Sequence, residues 1–229
     1  MNNIIGIIGA MDIEVSALIE KMDKTVQETV GGITFTKGTL CGKDVVISKC
    51  GIGKVFAAMC AQTMILKYAP KYIINSGVAG ALSKELNILD AVIATKMVQH
   101  DMDTSPLGDP KGLISGINIV EIESDVDVSS QLEKAANEHN VRTVRGIIAS
   151  GDQFIADPDK KAEIVSLFGA IACEMEGASI AQVCYVNKVP FCVMRTISDG
   201  KGEAMDYQAF AVSAAKKSME IIEKFLLSV

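Results

Sequence analysis

The sequence has no tryptophan and only two histidines, and aromatic residues make up 5% of its 229 positions. Because His100 and His139 are the only histidines, a site built from three or more of them is excluded. The six cysteines form no CxxC pair, and no spacing among them resembles that of a zinc site. Most of them lie in apolar stretches, which indicates buried free thiols in a reducing compartment.

The sequence also lacks the features of exported, membrane-bound and nucleic-acid-binding chains. No basic segment precedes the short apolar N-terminus, and Asp12 and Glu14 follow it closely, so we expect no signal peptide. No uncharged apolar run reaches the ~18 residues of a membrane span. The net charge of −6 argues against broad contact with a phosphate backbone but not against one small nucleotide or nucleoside. We expect a cytoplasmic protein that binds neither membranes nor nucleic acids.

Strand-like apolar runs alternate with helical patterns along the whole chain. Residues 4–11 and 72–76 are short, rich in isoleucine and bounded by turn residues, as buried strands are. Residues 54–68 and 177–187 have the spacing of helices, and no repeat or linker interrupts the alternation. This order predicts one α/β domain over residues 1–229, with a central, largely parallel sheet covered by helices.

Three acidic residues follow apolar, strand-like runs. Glu14 lies just past the first run, Glu176 closes residues 171–175, and Asp199 follows residues 189–198. Ligands of open α/β sheets bind at the carboxyl ends of strands, where carboxylates can transfer protons or hold sugar hydroxyls. Each residue also has a structural interpretation: a helix first turn for Glu14, a solvated strand end for Glu176, and a cap or turn for Asp199.

Glu174 and Glu176 alternate around Met175, so a strand would place both carboxylates on one face. Like charges held side by side repel each other. The pair therefore needs a compensating partner, which an arginine, a ligand or a bound proton would supply.

Several glycine-rich turns follow strands, but they match no nucleotide-binding fingerprint. None completes GxGxxG, and Gly53-Lys54 lacks the flanking residues of a P-loop. Phe154 comes directly after a strand-end turn, where it would either pack in the core or stack on a flat base. Residues 100–116 form a long loop without apolar periodicity, and such loops are often functional.

Together these segments resemble the purine nucleoside phosphorylase / nucleosidase superfamily almost from end to end. Each motif is weakly specific, whereas their joint order along one chain is highly specific. The contexts of Glu14 and Asp199 resemble the nucleosidase branch, which implies a nucleoside phosphorylase/hydrolase-like α/β fold with a twisted mixed β-sheet flanked by helices. The motifs that carry the resemblance lie at residues 7–14, 50–55, 74–80, 150–155, 174–176 and 195–199.

The resemblance implies hydrolysis of the N-glycosidic bond of 5′-methylthioadenosine and S-adenosylhomocysteine, with no metal and no organic cofactor. Asp199, steered by Ser198, would protonate N7 of the purine, and Glu14 would activate water. The resemblance further implies contacts to the ribose from Glu176 and Met175 and to adenine from Phe154 and Ile155. It also implies that Met11, Ile52 and Tyr207 border the sugar and thioether, and that Ala79 and Gly80 supply backbone close to the base and ribose.

The chain departs from the usual pattern at three positions that concern the substrate's 5′ end and the glycine turns. Cys50 and Val78 each stand where the family often has serine, and Leu107 stands where an aromatic residue is common in the thioalkyl pocket. In the family the loop that carries Leu107 reaches the partner subunit's site, so the resemblance implies a homodimer.

Three other interpretations remain open at the level of the sequence. A phosphorylase would use phosphate as the nucleophile, although no arginine lies between residues 4 and 14 to bind it. A related hydrolase would take another adenine nucleoside. A nucleoside-binding sensor would keep Phe154 without needing all three carboxylates, whereas the missing glycine fingerprint disfavours a dinucleotide-dependent oxidoreductase.

Overall fold

The computed structural model describes residues 3–200 and 204–229. In this part of the chain, strands and helices alternate. The strands are β1 (Ile5–Gly9), β2 (Asp23–Val30), β3 (Ile33–Leu40), β4 (Lys43–Lys49), β5 (Tyr72–Ala81), β6 (Ala91–Gln99), β7 (Ile122–Glu123), β8 (Thr143–Ser150), β9 (Ala170–Glu174) and β10 (Phe191–Asp199). The helices are α1 (Asp12–Glu20), α2 (Lys54–Tyr68), α3 (Val126–Glu138), α4 (Pro158–Phe168), α5 (Gly177–Asn187) and α6 (Ala204–Ser228), with one 3₁₀ turn at Ser105–Leu107.

All these strands belong to one mixed sheet that closes on itself at one end. β10 pairs with both β5 and β6, β8 joins β6 to β9, and β9 returns to β5. From this ring of five strands the sheet continues through β1 and β4 to β3 and β2. The closed ring brings the ends of β5, β9 and β10 together, where a flat sheet would keep them in a row.

Helices cover both faces of the sheet, as the alternation of side chains along β1 illustrates. Ile8 packs in the core cluster that contains residues of α2 and α5, whereas Ile7 packs with residues of α1, α3 and α6. Both isoleucines are fully buried. Successive residues of a strand point to opposite faces, so a continuous apolar run is what a strand covered on both sides requires.

The predicted α/β class is confirmed, and α2 and α5 have the bounds that their spacing predicts. The expectation of a largely parallel sheet is wrong, because antiparallel pairings join β2, β3 and β4 and also link β10 to β6 and β9 to β5. The predicted strand over residues 72–76 continues to Ala81, because its glycine-rich end pairs with β10. β2 was not predicted, since most of its side chains are exposed at the sheet edge.

Within the described residues, no helix combines the length and the apolarity that crossing a membrane would require.

Candidate active site

A cavity of about 350 Å³ lies where β1, β5, β9 and β10 end. Of the residues that the sequence predicts for a site, only Leu107 does not line it. The residues that line the cavity without having been predicted are Ala10, Val78, Gln153, Cys173 and Glu174. The three carboxylates of Glu14, Glu176 and Asp199 therefore share one enclosure, although they are far apart in the chain.

Glu14 lies in the first turn of α1, and its side chain folds back toward the end of β1. Its Oε2 accepts hydrogen bonds from the backbone N–H groups of Ala10 (2.7 Å) and Met11 (3.0 Å), and Oε1 accepts one from Val78 N–H (3.0 Å). Burial raises the pKa of Glu14, against the opposing effects of Arg195 and these N–H donors. Glu14 thus caps its own helix and also presents a carboxylate to the cavity.

Glycines at the end of β5 leave the space that two carboxylates occupy. A Cβ on Gly77 would lie within 2.4 Å of Glu14 Oε1, and one on Gly80 would lie 2.8 Å from Asp199 Oδ2. Gly80 and Asp199 are paired in the register of β5 and β10. In this strand, glycine is required for close approach of a side chain to the backbone.

Asp199 is the last residue of β10 and is buried, with 5% of its surface exposed. Ser198 Oγ donates a hydrogen bond to Asp199 Oδ1 (2.9 Å) and also lies 3.4 Å from the carbonyl oxygen of Ala79. This contact orients the carboxyl group relative to the cavity. The steering of Asp199 by Ser198, which the resemblance implies, has a geometric basis in this hydrogen bond.

Arg195 compensates the acidic pair at the end of β9. Its guanidinium forms a close ion pair with Glu174 and lies 3.9 Å from Glu176 Oε2, and the arginine is almost completely buried. Asn75, on the neighbouring β5, accepts a further hydrogen bond from it at 2.5 Å. The sequence left an arginine, a ligand or a proton as partners for this acidic pair, and the structure places an arginine beside it.

Glu176 is held at the start of α5 with one carboxylate oxygen on the backbone of the glycine turn before α2. Its Oε1 accepts a hydrogen bond from Gly53 N–H (2.8 Å). Burial, followed by repulsion from Glu174, raises the pKa of Glu176 to about 8, and the charge of Arg195 opposes this shift. This environment therefore favours the protonated form of Glu176 to a higher pH than that of an ordinary glutamate.

Two aromatic rings form one wall at the mouth of the cavity. The rings of Phe154 and Tyr207 meet edge to face, with centroids 5.6 Å apart, and Phe154 is 51% exposed. Tyr207 Oη lies 3.3 Å from Met11 Sδ. Phe154 therefore does not pack in the core, and its ring remains accessible for stacking on a flat ligand.

Several residues that shape the site were missed from the sequence. Asn75 and Ser150 contact Arg195 and Glu174 respectively, and Lys54 forms an ion pair with Asp101 (2.6 Å) beside the turn that holds Glu176. Asn75 carried a usable signal, because it is a polar residue inside the apolar start of β5. Leu107 is 84% exposed outside the cavity, and its predicted role in a partner subunit's site stays a prediction.

The fold agrees with the comparisons to known proteins. The phosphorylase superfamily matches residues 4–227, and the chain belongs to this superfamily. Among curated relatives, the 5′-methylthioadenosine/S-adenosylhomocysteine nucleosidase of Shewanella sediminis is 40% identical over 217 residues, covering 93% of this chain and 94% of the relative. The nucleosidase of the same name from Bacillus cereus strain G9842 is 39% identical and covers 97% of both chains.

Solved structures give the same family. The nucleosidase of Neisseria meningitidis in complex with methylthio-immucillin-A superposes with a TM-score of 0.94 at 32% identity, over 99% of this chain and 100% of that one. A Helicobacter pylori structure described as futalosine hydrolase superposes with a TM-score of 0.94 at 36% identity, over 100% of this chain and 99% of that one.

Replacing Gly77 with alanine tests the requirement for space beside Glu14. The new Cβ would overlap the carboxylate, so we expect Gly77→Ala to displace Glu14 and to lower the free energy of unfolding by about 1–3 kcal/mol, as overpacking does. Urea denaturation measures the loss, and a crystal structure shows the displaced carboxylate.

Gly200→Ala is the matched control, because a Cβ at Gly200 meets no atom of the described residues within 4 Å. Equal stability of the wild type and Gly77→Ala, with Glu14 unmoved, would contradict the expectation.

Proposed function

We propose that this protein hydrolyses the N-glycosidic bond of 5′-methylthioadenosine and S-adenosylhomocysteine, releasing adenine and the corresponding thioribose. The observation that carries the proposal is the convergence of Glu14, Glu176 and Asp199 on one cavity with an exposed aromatic ring at its mouth. The relatives in the same superfamily bear the name of this activity.

In the proposed reaction, the carboxyl group of Asp199 donates its proton to N7 of adenine as the bond from N9 to the anomeric carbon breaks. The electron pair of that bond stays with the base, which leaves neutral. Glu14 takes a proton from water, and the water oxygen bonds to the anomeric carbon. Positive charge develops on the sugar in the transition state, and carboxylates around it favour that charge. General acid and general base contributions are typically about 10²–10⁴-fold each.

The remaining predicted contacts fit the shape of an adenosine derivative. Glu176 accepts hydrogen bonds from the ribose hydroxyls, Met175 packs against the sugar, and Phe154 stacks on adenine. The backbone of Ile155 binds the edge of the base, and Ala79 and Gly80 supply backbone beside it. Met11, Ile52 and Tyr207 form the apolar border for the thioether.

Water fits this cavity better than phosphate as the nucleophile. Among the described residues that line it there is no lysine and no arginine, and the charged side chains there are carboxylates. A phosphate dianion would be repelled by these groups unless a cation accompanied it. This charge distribution favours a hydrolase over a phosphorylase.

A second candidate substrate is a related adenine nucleoside with a larger 5′ group, and the exposed mouth favours it. Ile52, which borders the thioether in the proposed complex, is 55% exposed, so this side chain does not enclose the 5′ end. The Helicobacter pylori relative described as futalosine hydrolase is similar over the whole chain.

We further propose that the protein is a cytoplasmic homodimer. Val55, Phe56 and Met59 of α2 are 69%, 53% and 43% exposed, beside the glycine turn that holds Glu176. A cluster of exposed apolar side chains marks an interaction surface. A second copy that covers α2 would also bring its own Leu107 loop toward the open mouth, as the resemblance implies.

Replacing Asp199 with asparagine separates an enzyme from a nucleoside-binding sensor. We expect Asp199→Asn to lose at least about 10²-fold in turnover, because the amide cannot supply the proton. Chromatography of free adenine, from a panel of adenine nucleosides with and without phosphate, measures the rate. Release that strictly requires phosphate would reject the hydrolase, and the absence of any release by the wild type would reject the enzyme.

The raised pKa values of Glu14 and Glu176 predict the pH dependence of hydrolysis. Both groups act as carboxylates, and a raised pKa keeps each protonated to higher pH than an ordinary glutamate. We therefore expect kcat/KM to rise with pH on a limb that lies well above the ordinary value of 4.5 and extends toward 8. A pH–rate profile of adenine release measures it, and full activity at pH 5 would contradict the assignment.

Placing a charge on α2 tests the homodimer. We expect Phe56→Asp to yield monomers in sedimentation velocity, because the buried interface would then hold an unpaired charge. Leu227→Asp, at a position 67% exposed near the chain end, is the control and should leave the assembly unchanged. A wild type that sediments as a monomer at micromolar concentration would overturn the proposal.

A further inference from the structure

Glu174 lines the cavity next to Glu176, yet the proposed reaction assigns it no role. Its side chain is 3% exposed, and protein donors surround both of its oxygens. Oε1 accepts hydrogen bonds from Ser150 Oγ and from Gly177 N–H (3.0 Å). Oε2 accepts them from the N–H groups of Glu176 (3.1 Å) and Gly177 (2.8 Å) and from the guanidinium of Arg195.

The neighbouring Glu176 has the opposite distribution of contacts. Its Oε1 accepts one hydrogen bond, from Gly53, whereas Oε2 accepts none from the described residues and lies 3.9 Å from Arg195. Of the two glutamates, only Glu176 has an oxygen available for a ligand. Glu174 uses its acceptor capacity within the protein, which suits a group that orients others.

Glu174 also fixes the groups on either side of Glu176. Through Gly177 and the backbone of Glu176 it holds the first turn of α5, and through Arg195 it holds the cation that faces Glu176. Arg195 is anchored a second time by Asn75, so its guanidinium cannot shift without losing buried hydrogen bonds.

We propose that Glu174 is a positioning residue, which aims the Glu176 carboxylate at the ribose hydroxyls by holding both the turn that carries Glu176 and the arginine that faces it. This inference rests on the proposed function, since it concerns the nucleoside that the cavity binds. Glu174 itself does not touch the substrate.

Under this proposal, the loss of Glu174 affects the binding of the sugar and not the binding of the base. Loss of Glu174 should weaken the binding of a ligand that has a ribose and spare a ligand that is adenine alone, because the contacts of Phe154 and Ile155 with the base do not involve Glu174. If Glu174 had a purely structural role, its loss would weaken the binding of both ligands to a similar extent.

The test measures binding by calorimetry in the Asp199→Asn protein, in which we expect hydrolysis to be slow enough for the nucleoside to stay intact during the measurement. In this background we expect Glu174→Gln to weaken the binding of 5′-methylthioadenosine by about 10–100-fold and the binding of adenine by less than about 3-fold. These changes lie within the range of measured couplings between contacting residues. Adding Glu176→Gln should remove the effect, so that the double substitution binds the nucleoside no more weakly than Glu176→Gln alone. Equal losses for both ligands, no loss for either, or full additivity with Glu176→Gln would overturn the inference.

Ser150→Ala is the second variant, because leaving Arg195 with an unpaired buried charge could prevent Glu174→Gln from folding. Ser150→Ala removes one hydrogen-bond donor to Glu174 at a position outside the cavity. We expect it to cause a smaller loss of nucleoside affinity than Glu174→Gln, again without a matching loss of affinity for adenine. Glu163→Gln, at a surface acid paired with Lys111 and Lys160, is the matched control and should change neither affinity. If the protein with Asp199→Asn as its single substitution bound neither ligand, the result would count against the proposed function rather than against the role of Glu174.

Discussion

The site depends on one buried cation that stands among carboxylates. Arg195 is in contact with Glu174, lies 3.9 Å from Glu176 and opposes the rise in the pKa of Glu14 that burial causes. Removing one partner of a buried pair typically costs about 3–5 kcal/mol, because the other charge is left without compensation. Burial raises the pKa values of Glu14 and Glu176, and the charge of Arg195 opposes both shifts. The arginine therefore favours the charged carboxylates that the proposed reaction uses.

Backbone N–H groups also stabilise the carboxylates of the site. N–H groups of Ala10, Met11 and Val78 bind Glu14, and the N–H of Gly53 binds Glu176. Gly77 and Gly80 lack the Cβ atoms that would displace Glu14 and Asp199. Donors fixed in strands and turns do not need to reorganise when charge develops, which is the property that a hydrolytic site for a glycosidic bond requires.

The prediction from sequence was accurate for two helices and poor where strand pairing decides the structure. Helices α2 and α5 have the predicted bounds. The end of β5 was taken for a turn, since glycines are typical of turns, but its pairing with β10 and β9 keeps residues 77–81 extended. The exposed edge strand β2 gave no burial pattern to detect.

The order of motifs along the chain was enough to place the protein in its superfamily and to select Glu14, Glu176 and Asp199. The choice of the three acidic residues follows from residue types at the ends of apolar runs, which are local properties, whereas the superfamily follows from the resemblance of the whole series of motifs. Only the closed ring of strands decided that the three carboxylates share one cavity, and only tertiary contacts separated Glu174, saturated by protein donors, from Glu176, which keeps an oxygen for a ligand. Alternation along a strand gives these two glutamates the same face, so their different roles come from Arg195, Ser150 and Gly53, which reach them from distant parts of the chain.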